Sequence, residues 1–254
     1  MNAGDVPVPS RRRLSIVFPM WNEEDYIRQT IDVARETCDE LTQERRIAGY
    51  ELIVVDDAST DATGEIADAI AEEDPRVRAV HHARNRKLGG SIRTGLAAAT
   101  GDVVLYTDAD LPVDMGELRR ALRIMRVYDA GVVSAYRLDR TGEGPKRALY
   151  SWIYNGLIAA AFGTRLRDVN FAFKLVRRDV LDQVRLVSEG SFIDAELLVR
   201  AQRLGFNVVQ IGVDYFPRTR GTSTLASLGV IRRMLREMVT LRRELRSIRP
   251  LARA

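Results

Sequence analysis

Short apolar runs rich in β-branched residues alternate along this chain with longer stretches in which apolar positions recur every three or four residues. Residues 14–18, 51–55, 77–80, 103–107 and 131–135 follow the first pattern and predict strands. Residues 23–37, 63–72, 90–99 and 115–128 follow the second and predict helices. Asn22 stands where it would cap the first helix, and Asp114 with Glu117 has the spacing of a capping box before the fourth. Strand and helix in strict alternation predict an α/β fold with a mainly parallel, doubly wound sheet.

The rhythm changes after residue 136. A long, mostly apolar helix is expected over 147–162, a strand over 168–176, a helix over 194–204, a strand over 207–213 and a final helix over 225–247. The expected organisation is therefore a basic lead at 1–13, one domain at 14–225 and an amphipathic helix at 226–254. Within the domain, 14–136 forms a nucleotide-binding half and 137–225 an acceptor half. No repeat, low-complexity tract or clear linker interrupts it. No Gly-x-Gly-x-x-Gly follows the first strand and no Walker loop is present, which disfavours dinucleotide redox chemistry and P-loop hydrolysis.

Three predicted strands end in polar residues. The first runs into Pro19-Met20-Trp21-Asn22-Glu23, the second into Asp56-Asp57-Ala58-Ser59-Thr60-Asp61, and the fourth into Asp108-Ala109-Asp110. Each has an ordinary explanation: Asn22 as a cap, the Ser, Thr and Asp residues as turn formers, Trp21 as core. Their convergence is harder to explain by folding, because carboxylates gathered at one sheet edge repel unless a cation or hydrogen-bond donors compensate. Crevices in open α/β sheets lie beyond the carboxyl ends of the strands, where two carboxylates one residue apart can share a divalent cation.

Together these segments resemble the nucleotide-diphospho-sugar transferases of glycosyltransferase family 2, with the GT-A fold, and among them the polyprenyl-phosphate sugar synthases. The resemblance covers roughly residues 14 to 225. It implies nucleotide-sugar binding by Pro19, Trp21, Glu23, Asp56 and Asp57, and binding of Mg2+ or Mn2+ and the donor diphosphate by Asp108 and Asp110. Asn85, Lys87, Leu88, Gly89 and Gly90 look like the glycine-rich segment before the third helix, where small residues let backbone approach ligand. One departure stands out: relatives often continue Asp-Ala-Asp-Leu with a metal-binding glutamine, and this chain has Pro112 there.

Arg147, Ser151 and Asn155 recur every four residues and share one helix face. By their residues alone they form a solvated stripe. The resemblance assigns an arginine and a serine at this spacing to the lipid phosphate of the acceptor. Asp168 to Lys174 and Phe216 to Thr224 look like two further family segments, the second a basic lid that would close on the donor through Arg218 or Arg220. Thr224 stands where relatives commonly place lysine. Asp194 lies where many members keep a catalytic carboxylate; a hydroxyl acceptor would need it as base, whereas an anionic phosphate needs none.

Composition adds limits. The chain has 254 residues, 46% of them apolar, enough for a sizeable core, and one cysteine, Cys38, which rules out an internal disulfide framework. The net charge of +4 rests almost wholly on arginine, with lysine only at positions 87, 146 and 174. No secretory signal opens the chain, and the longest uncharged stretch falls short of the roughly 20 apolar residues of a spanning helix, so a cytoplasmic protein is expected. The last helix is basic and amphipathic, suited to a membrane surface, to packing on the domain or to pairing two subunits. Adjacent His81 and His82 point to opposite faces of their strand, which disfavours a shared metal or switch.

The expected function is inverting, metal-dependent transfer of a hexose from a nucleotide diphosphate sugar of the GDP-mannose or UDP-glucose type to a polyprenyl phosphate. It would act at the cytoplasmic membrane face and involve no nucleic acid. Arg147 would steer the acceptor phosphate. Two alternatives stay open: a glycan or soluble hydroxyl acceptor with Asp194 as base, and a non-catalytic nucleotide-sugar or membrane-surface binding module.

Overall fold

The computed structural model describes residues 12–139, 145–216 and 228–251. Its strands are β1 (Arg13–Met20), β2 (Gly49–Asp56), β3 (Val77–His81), β4 (Val103–Thr107), β5 (Val132–Arg137), β6 (Phe173–Arg177) and β7 (Val208–Val213). Its helices are α1 (Ile27–Gln43), α2 (Thr63–Glu73), α3 (Lys87–Ala98), α4 (Glu117–Val127), α5 (Pro145–Phe162), α6 (Arg178–Gln183), α7 (Ile193–Arg203) and α8 (Leu228–Ser247). The strands form a single sheet of order β3-β2-β1-β4-β6-β5-β7.

The expected α/β fold is present, with one addition. β6 runs antiparallel to both β4 and β5, while every other pairing is parallel. Only four residues of the expected 168–176 strand, 173–176, join the ladder, which continues to Arg177. The segment before them is a turn fixed by Asp168, whose φ of 45° lies in the left-handed region.

Strand alternation divides the apolar residues between two faces. Leu14, Ile16, Phe18 and Met20 of β1 pack with α1, α2 and α4, while Val17 faces the cluster built from α3, α5, α7 and α8. Gly95 marks a close approach on the second face, since a Cβ there would stand 2.1 Å from Val17 Cγ1. Cys38 is buried in the first cluster, and that burial pushes its thiol up to about 12, leaving it inert at neutral pH.

Two expected caps are absent. α1 begins four residues late at Ile27 because Asn22, at φ 56°, turns its side chain across to the β2 edge. Asp114 accepts from the Gly116 amide, in a turn before α4, instead of capping that helix.

The final helix packs on the domain. Met234 and Leu245 are buried, and Met238, Leu241 and Ile248 lie against the α3/α5/α7 cluster. Polar clamps hold it: Glu244 accepts from Arg200 of α7 at 2.7 Å, and Arg246 donates to the Ala161 carbonyl at 2.8 Å. Its apolar side is thereby spent within the fold. Among the described residues no helix is long and apolar enough to cross a membrane.

Candidate active site

β1 is the switch point of the sheet, flanked by β2 on one side and β4 on the other. The chain leaves β1 and β4 in opposite lateral directions, so a crevice opens beyond their carboxyl ends. Four strand-to-helix segments here pass through a left-handed non-glycine residue: Asn22 after β1, Ala58 after β2, Lys87 after β3 and Leu111 after β4. Such backbone costs about 1 kcal/mol or more per residue and persists where surrounding bonds dictate it.

Those bonds tie the β1 edge to the β2 edge. The Asn22 amide donates to Ser59 Oγ at 3.0 Å, the Thr60 amide donates to Asn22 Oδ1 at 2.8 Å, and the Glu23 amide donates to Thr63 Oγ1 at 2.8 Å. Glu23 is thereby buried, whereas Trp21 stands clear of the core at 46% exposure. Pro19, half-buried, pairs in register with Val55, one residue before Asp56.

Asp56 and Asp57 are both buried, and their oxygens are used differently. Asp56 Oδ1 accepts from the Ser59 amide at 2.9 Å, and Oδ2 faces His81 Nδ1 at 3.0 Å. Burial pushes the Asp56 carboxyl up, but the bonds from Ser59 and His81 outweigh it and hold the group below the usual carboxylate range. Asp57 takes both of its bonds on Oδ1, from His82 at 2.7 Å and from the Arg86 amide at 2.6 Å. Among the described residues its Oδ2 accepts no hydrogen bond, so this oxygen is available to a ligand.

At the β4 edge, Asp108 and Asp110 are half-buried and flank buried Ala109. The turn is held from behind: Thr30 Oγ1 donates to the Ala109 carbonyl, and the Leu111 amide to the Asp108 carbonyl at 3.2 Å. Pro112 contributes through its backbone, its carbonyl accepting from the Phe216 amide at 3.0 Å. That bond ties the β4 turn to the segment after β7.

The donor set fits a hard divalent cation. Two carboxylates would supply oxygen ligands, and among the described residues no group of three or more His, Cys, Asp or Glu forms a closed cage. Magnesium-like ions are commonly held in this way, by one or two carboxylates with substrate phosphates and water completing the shell.

Behind β4 lies a buried charged network that the sequence did not reveal. Asp194 Oδ1 accepts from Lys174 Nζ at 2.5 Å and from the Tyr106 hydroxyl at 2.6 Å, and Lys174 also donates to the Phe171 carbonyl at 2.7 Å. Lys174 is wholly buried and Asp194 nearly so. Burial, with Asp194 and Asp108 nearby, pushes the Tyr106 hydroxyl well above its ordinary range, so it stays a donor. Asp194 is thus held in a buried ion pair in the first turn of α7. The one available signal was a lysine inside the apolar run Phe171 to Val176.

On α5, Ser151 and Asn155 are brought together as their spacing predicts. Asn155 is already engaged, donating to the Ser151 carbonyl at 2.8 Å and accepting from the Val169 amide at 3.0 Å. It links α5 to the turn before β6. Arg147 lies on the same helix, but its side chain is outside the described residues, as are Arg218 and Arg220 entirely. A second clamp fixes that turn: Arg137 grips Asp168 through Nε at 2.7 Å and Nη2 at 2.6 Å, with its guanidinium about 5 Å from the Phe171 and Tyr215 rings.

The glycine pair lies in the first turn of α3 and meets protein atoms, Gly90 against the Arg86 side chain and Gly89 against distant backbone. A Cβ on Gly89 would stand 2.5 Å from the Ser188 carbonyl oxygen, and the Gly89 amide donates to the Glu189 carbonyl at 2.9 Å. The backbone that Gly89 admits belongs to the 188–189 loop, contrary to the expectation of a ligand there. Lys87 is exposed at the start of α3. Gly89→Ala is expected to lower stability by about 1 to 3 kcal/mol, from overpacking against backbone. Urea unfolding checks this; an unchanged midpoint would show that the loop moves aside freely.

Comparison with known proteins agrees with this fold. The family model described as Glycosyl transferase family 2 matches residues 15–185. A glycosyltransferase of Haloferax volcanii, AglD, is 37% identical over 210 residues, covering 81% of this chain but only 33% of that protein. The chain thus spans a third of that relative's length. The undecaprenyl-phosphate mannosyltransferase of Micrococcus luteus is 28% identical, covering 84% of this chain and 88% of the relative. Among solved structures, glucosyl-3-phosphoglycerate synthase from Mycobacterium tuberculosis, in complex with Mn2+, UDP and glucosyl-3-phosphoglycerate, superimposes with a TM-score of 0.68 at 25% identity. It covers 92% of this chain and 81% of that one.

Proposed function

This chain belongs to glycosyl transferase family 2, and from that membership we propose that it transfers a hexose from a nucleotide diphosphate sugar to a polyprenyl phosphate with inversion at the anomeric carbon. The observation that carries the proposal is the convergence of Glu23, Asp56, Asp57, Asp108 and Asp110 at the carboxyl edges of β1, β2 and β4. Trp21 and Asp57 Oδ2 would receive the nucleoside, and Pro19, Glu23 and Asp56 would shape its pocket. Asp108 and Asp110 would hold Mg2+ or Mn2+ beside the diphosphate. When bound, the cation supplies neutralisation of the charge that develops on the leaving diphosphate. Lys87 and Arg218 would add cationic contacts to the donor.

A polyprenyl phosphate acceptor is supported by the relative from Micrococcus luteus, by the position of Arg147 and Ser151 on one face of α5, and by the surface of that helix. Leu149, Trp152, Ile153 and Leu157 are exposed there, Trp152 at 74%, which suits a lipid surface. Arg147 and Ser151 would receive the phosphate, with Asn155 orienting Ser151. The nucleophile is then an anionic phosphate oxygen, which attacks without a general base, in keeping with Asp194 being tied to Lys174. A soluble acceptor is the second reading, favoured by the likeness to glucosyl-3-phosphoglycerate synthase.

Incubation with labelled UDP- and GDP-hexoses, Mn2+ or Mg2+ and purified polyprenyl phosphate is expected to give a lipid-linked sugar whose formation EDTA abolishes. A donor panel yielding no such product overturns the acceptor assignment. Formation of a soluble glycoside in its place selects the second reading, and absence of any turnover favours a binding module.

A further inference from the structure

The chain contains two histidines, and both stand behind the paired aspartates of the β2 edge. β2 and β3 run parallel with Asp56 in register with His81. Adjacent residues at a strand end face opposite sides of the sheet. That alternation, which separates His81 from His82, also separates Asp56 from Asp57, so each histidine meets the aspartate on its own side.

His82 is nearly buried. Its Nδ1 lies 2.7 Å from Asp57 Oδ1 and its Nε2 2.9 Å from Thr94 Oγ1 of α3. An ionised carboxylate only accepts, so Nδ1 carries the proton. Thr94, which also accepts from Arg86 Nη1 at 3.3 Å, can donate to Nε2, so a neutral ring satisfies every partner. Asp57 Oδ1 is therefore pinned by His82 and the Arg86 amide, which fixes the carboxylate and leaves Oδ2 without a hydrogen bond among the described residues.

His81 differs. Its Nδ1 faces Asp56 Oδ2 at 3.0 Å and its Nε2 faces Asp68 Oδ1 of α2 at 2.9 Å. With carboxylates on both sides, both ring nitrogens must donate, which requires the imidazolium. Gly64 belongs to this arrangement, because a Cβ there would stand 3.1 Å from Asp56 Oδ2 and 3.7 Å from the His81 ring.

We propose that His81 and His82 are positioning residues of the donor site, His82 fixing the orientation of Asp57 toward the nucleoside and His81 supplying a cation that offsets the charge of Asp56. The proposal rests on the donor reading given above and adds to it the support behind its carboxylates. Bonds to Asp56 first and Asp68 next outweigh burial and raise the His81 pKa above its ordinary value. The linkage therefore runs one way. The His81 contribution is complete below the ordinary histidine pKa and is lost as pH rises through the raised one. Asp68 is largely exposed and can turn to water, so deprotonation removes a positive charge beside an anion-binding site without unfolding it.

Titration calorimetry of UDP and GDP with Mn2+ against the full chain tests this. His82→Leu is expected to weaken the preferred nucleotide about tenfold, the scale of one lost hydrogen bond to a charged group. His82→Asn, whose amide can take the place of Nδ1, restores most of that affinity. In the wild type, affinity falls about two- to threefold as pH climbs through the raised His81 pKa, a modest change because the ring is partly exposed; in His81→Asn the profile is flat.

Unchanged affinity in a folded His82→Leu chain, or a pH profile that survives in His81→Asn, overturns the proposal. If His82→Leu does not fold, the solvent-facing His81→Asn decides by its pH profile. Asp57→Asn separates the two levels of inference. If it weakens binding while the histidine variants do not, the donor reading stands and the histidine roles fall. A wild-type chain that binds neither nucleotide overturns both.

Discussion

Replacing Asp110 by alanine is expected to lower sugar transfer about a thousandfold, equivalent to about 4 kcal/mol of lost transition-state stabilisation. A carboxylate that holds the cation beside a leaving diphosphate acts mainly on charge that develops during the reaction, so the loss falls on turnover as well as on donor binding. The fold should survive, because the turn around Asp110 is set by other groups: Thr30 on the Ala109 carbonyl, the Leu111 amide on Asp108, and Phe216 on the Pro112 carbonyl. Initial rates with labelled donor at saturating Mn2+, alongside the unfolding midpoint, give both quantities. A rate within threefold of wild type in a folded Asp110→Ala chain would remove this residue from the metal site. Pro112 sharpens the expectation, since no side chain at that position shares the load.

Lys174→Met is expected to destabilise the protein by about 3 to 5 kcal/mol, the usual consequence of stranding one member of a buried ion pair. Lys174 is wholly enclosed and its partner Asp194 is barely exposed, so water cannot replace the lost donor. Among the described residues Asp194 would keep the Tyr106 hydroxyl alone, which sits directly behind the Asp108 segment. Urea unfolding measures the effect, and Lys174→Met combined with Asp194→Leu should recover much of it, since an apolar pair of similar volume removes the stranded charge. A loss under 1 kcal/mol for the single variant would mean the pair is not sequestered as described. Asp194→Asn carries the functional corollary: for a phosphate acceptor, turnover per folded molecule persists, whereas a hydroxyl acceptor using Asp194 as base would lose nearly all of it.

Much of the site was legible before the fold. Glu23, Asp56, Asp57, Asp108 and Asp110 follow apolar runs directly, and parallel strands carry whatever follows them to one edge of a sheet. Ser151 and Asn155 share a face because helical spacing is local. The cap assigned to Asn22 failed for a non-local reason, its side chain meeting Thr60 at the β2 edge, whereas Asp114 failed locally by taking the Gly116 amide two residues on. The reading of Gly89 missed a non-local partner, as the backbone it admits lies about a hundred residues away in sequence.

The sequence by itself determined the order of strands and helices apart from the short α6, the two-faced burial of the sheet and the set of carboxylates brought to its edge, because each depends on periodicity or on the residue next to a strand end. The tertiary structure alone decided which way β6 runs, that α8 spends its apolar side within the domain, and that Asp194 is bound to Lys174. It also decided that two histidines pointing to opposite faces each meet one of the paired aspartates at the β2 edge. Such outcomes depend on which distant groups meet once chains pair and helices pack. Periodicity specifies the face a residue occupies, and only packing supplies the partner it finds there.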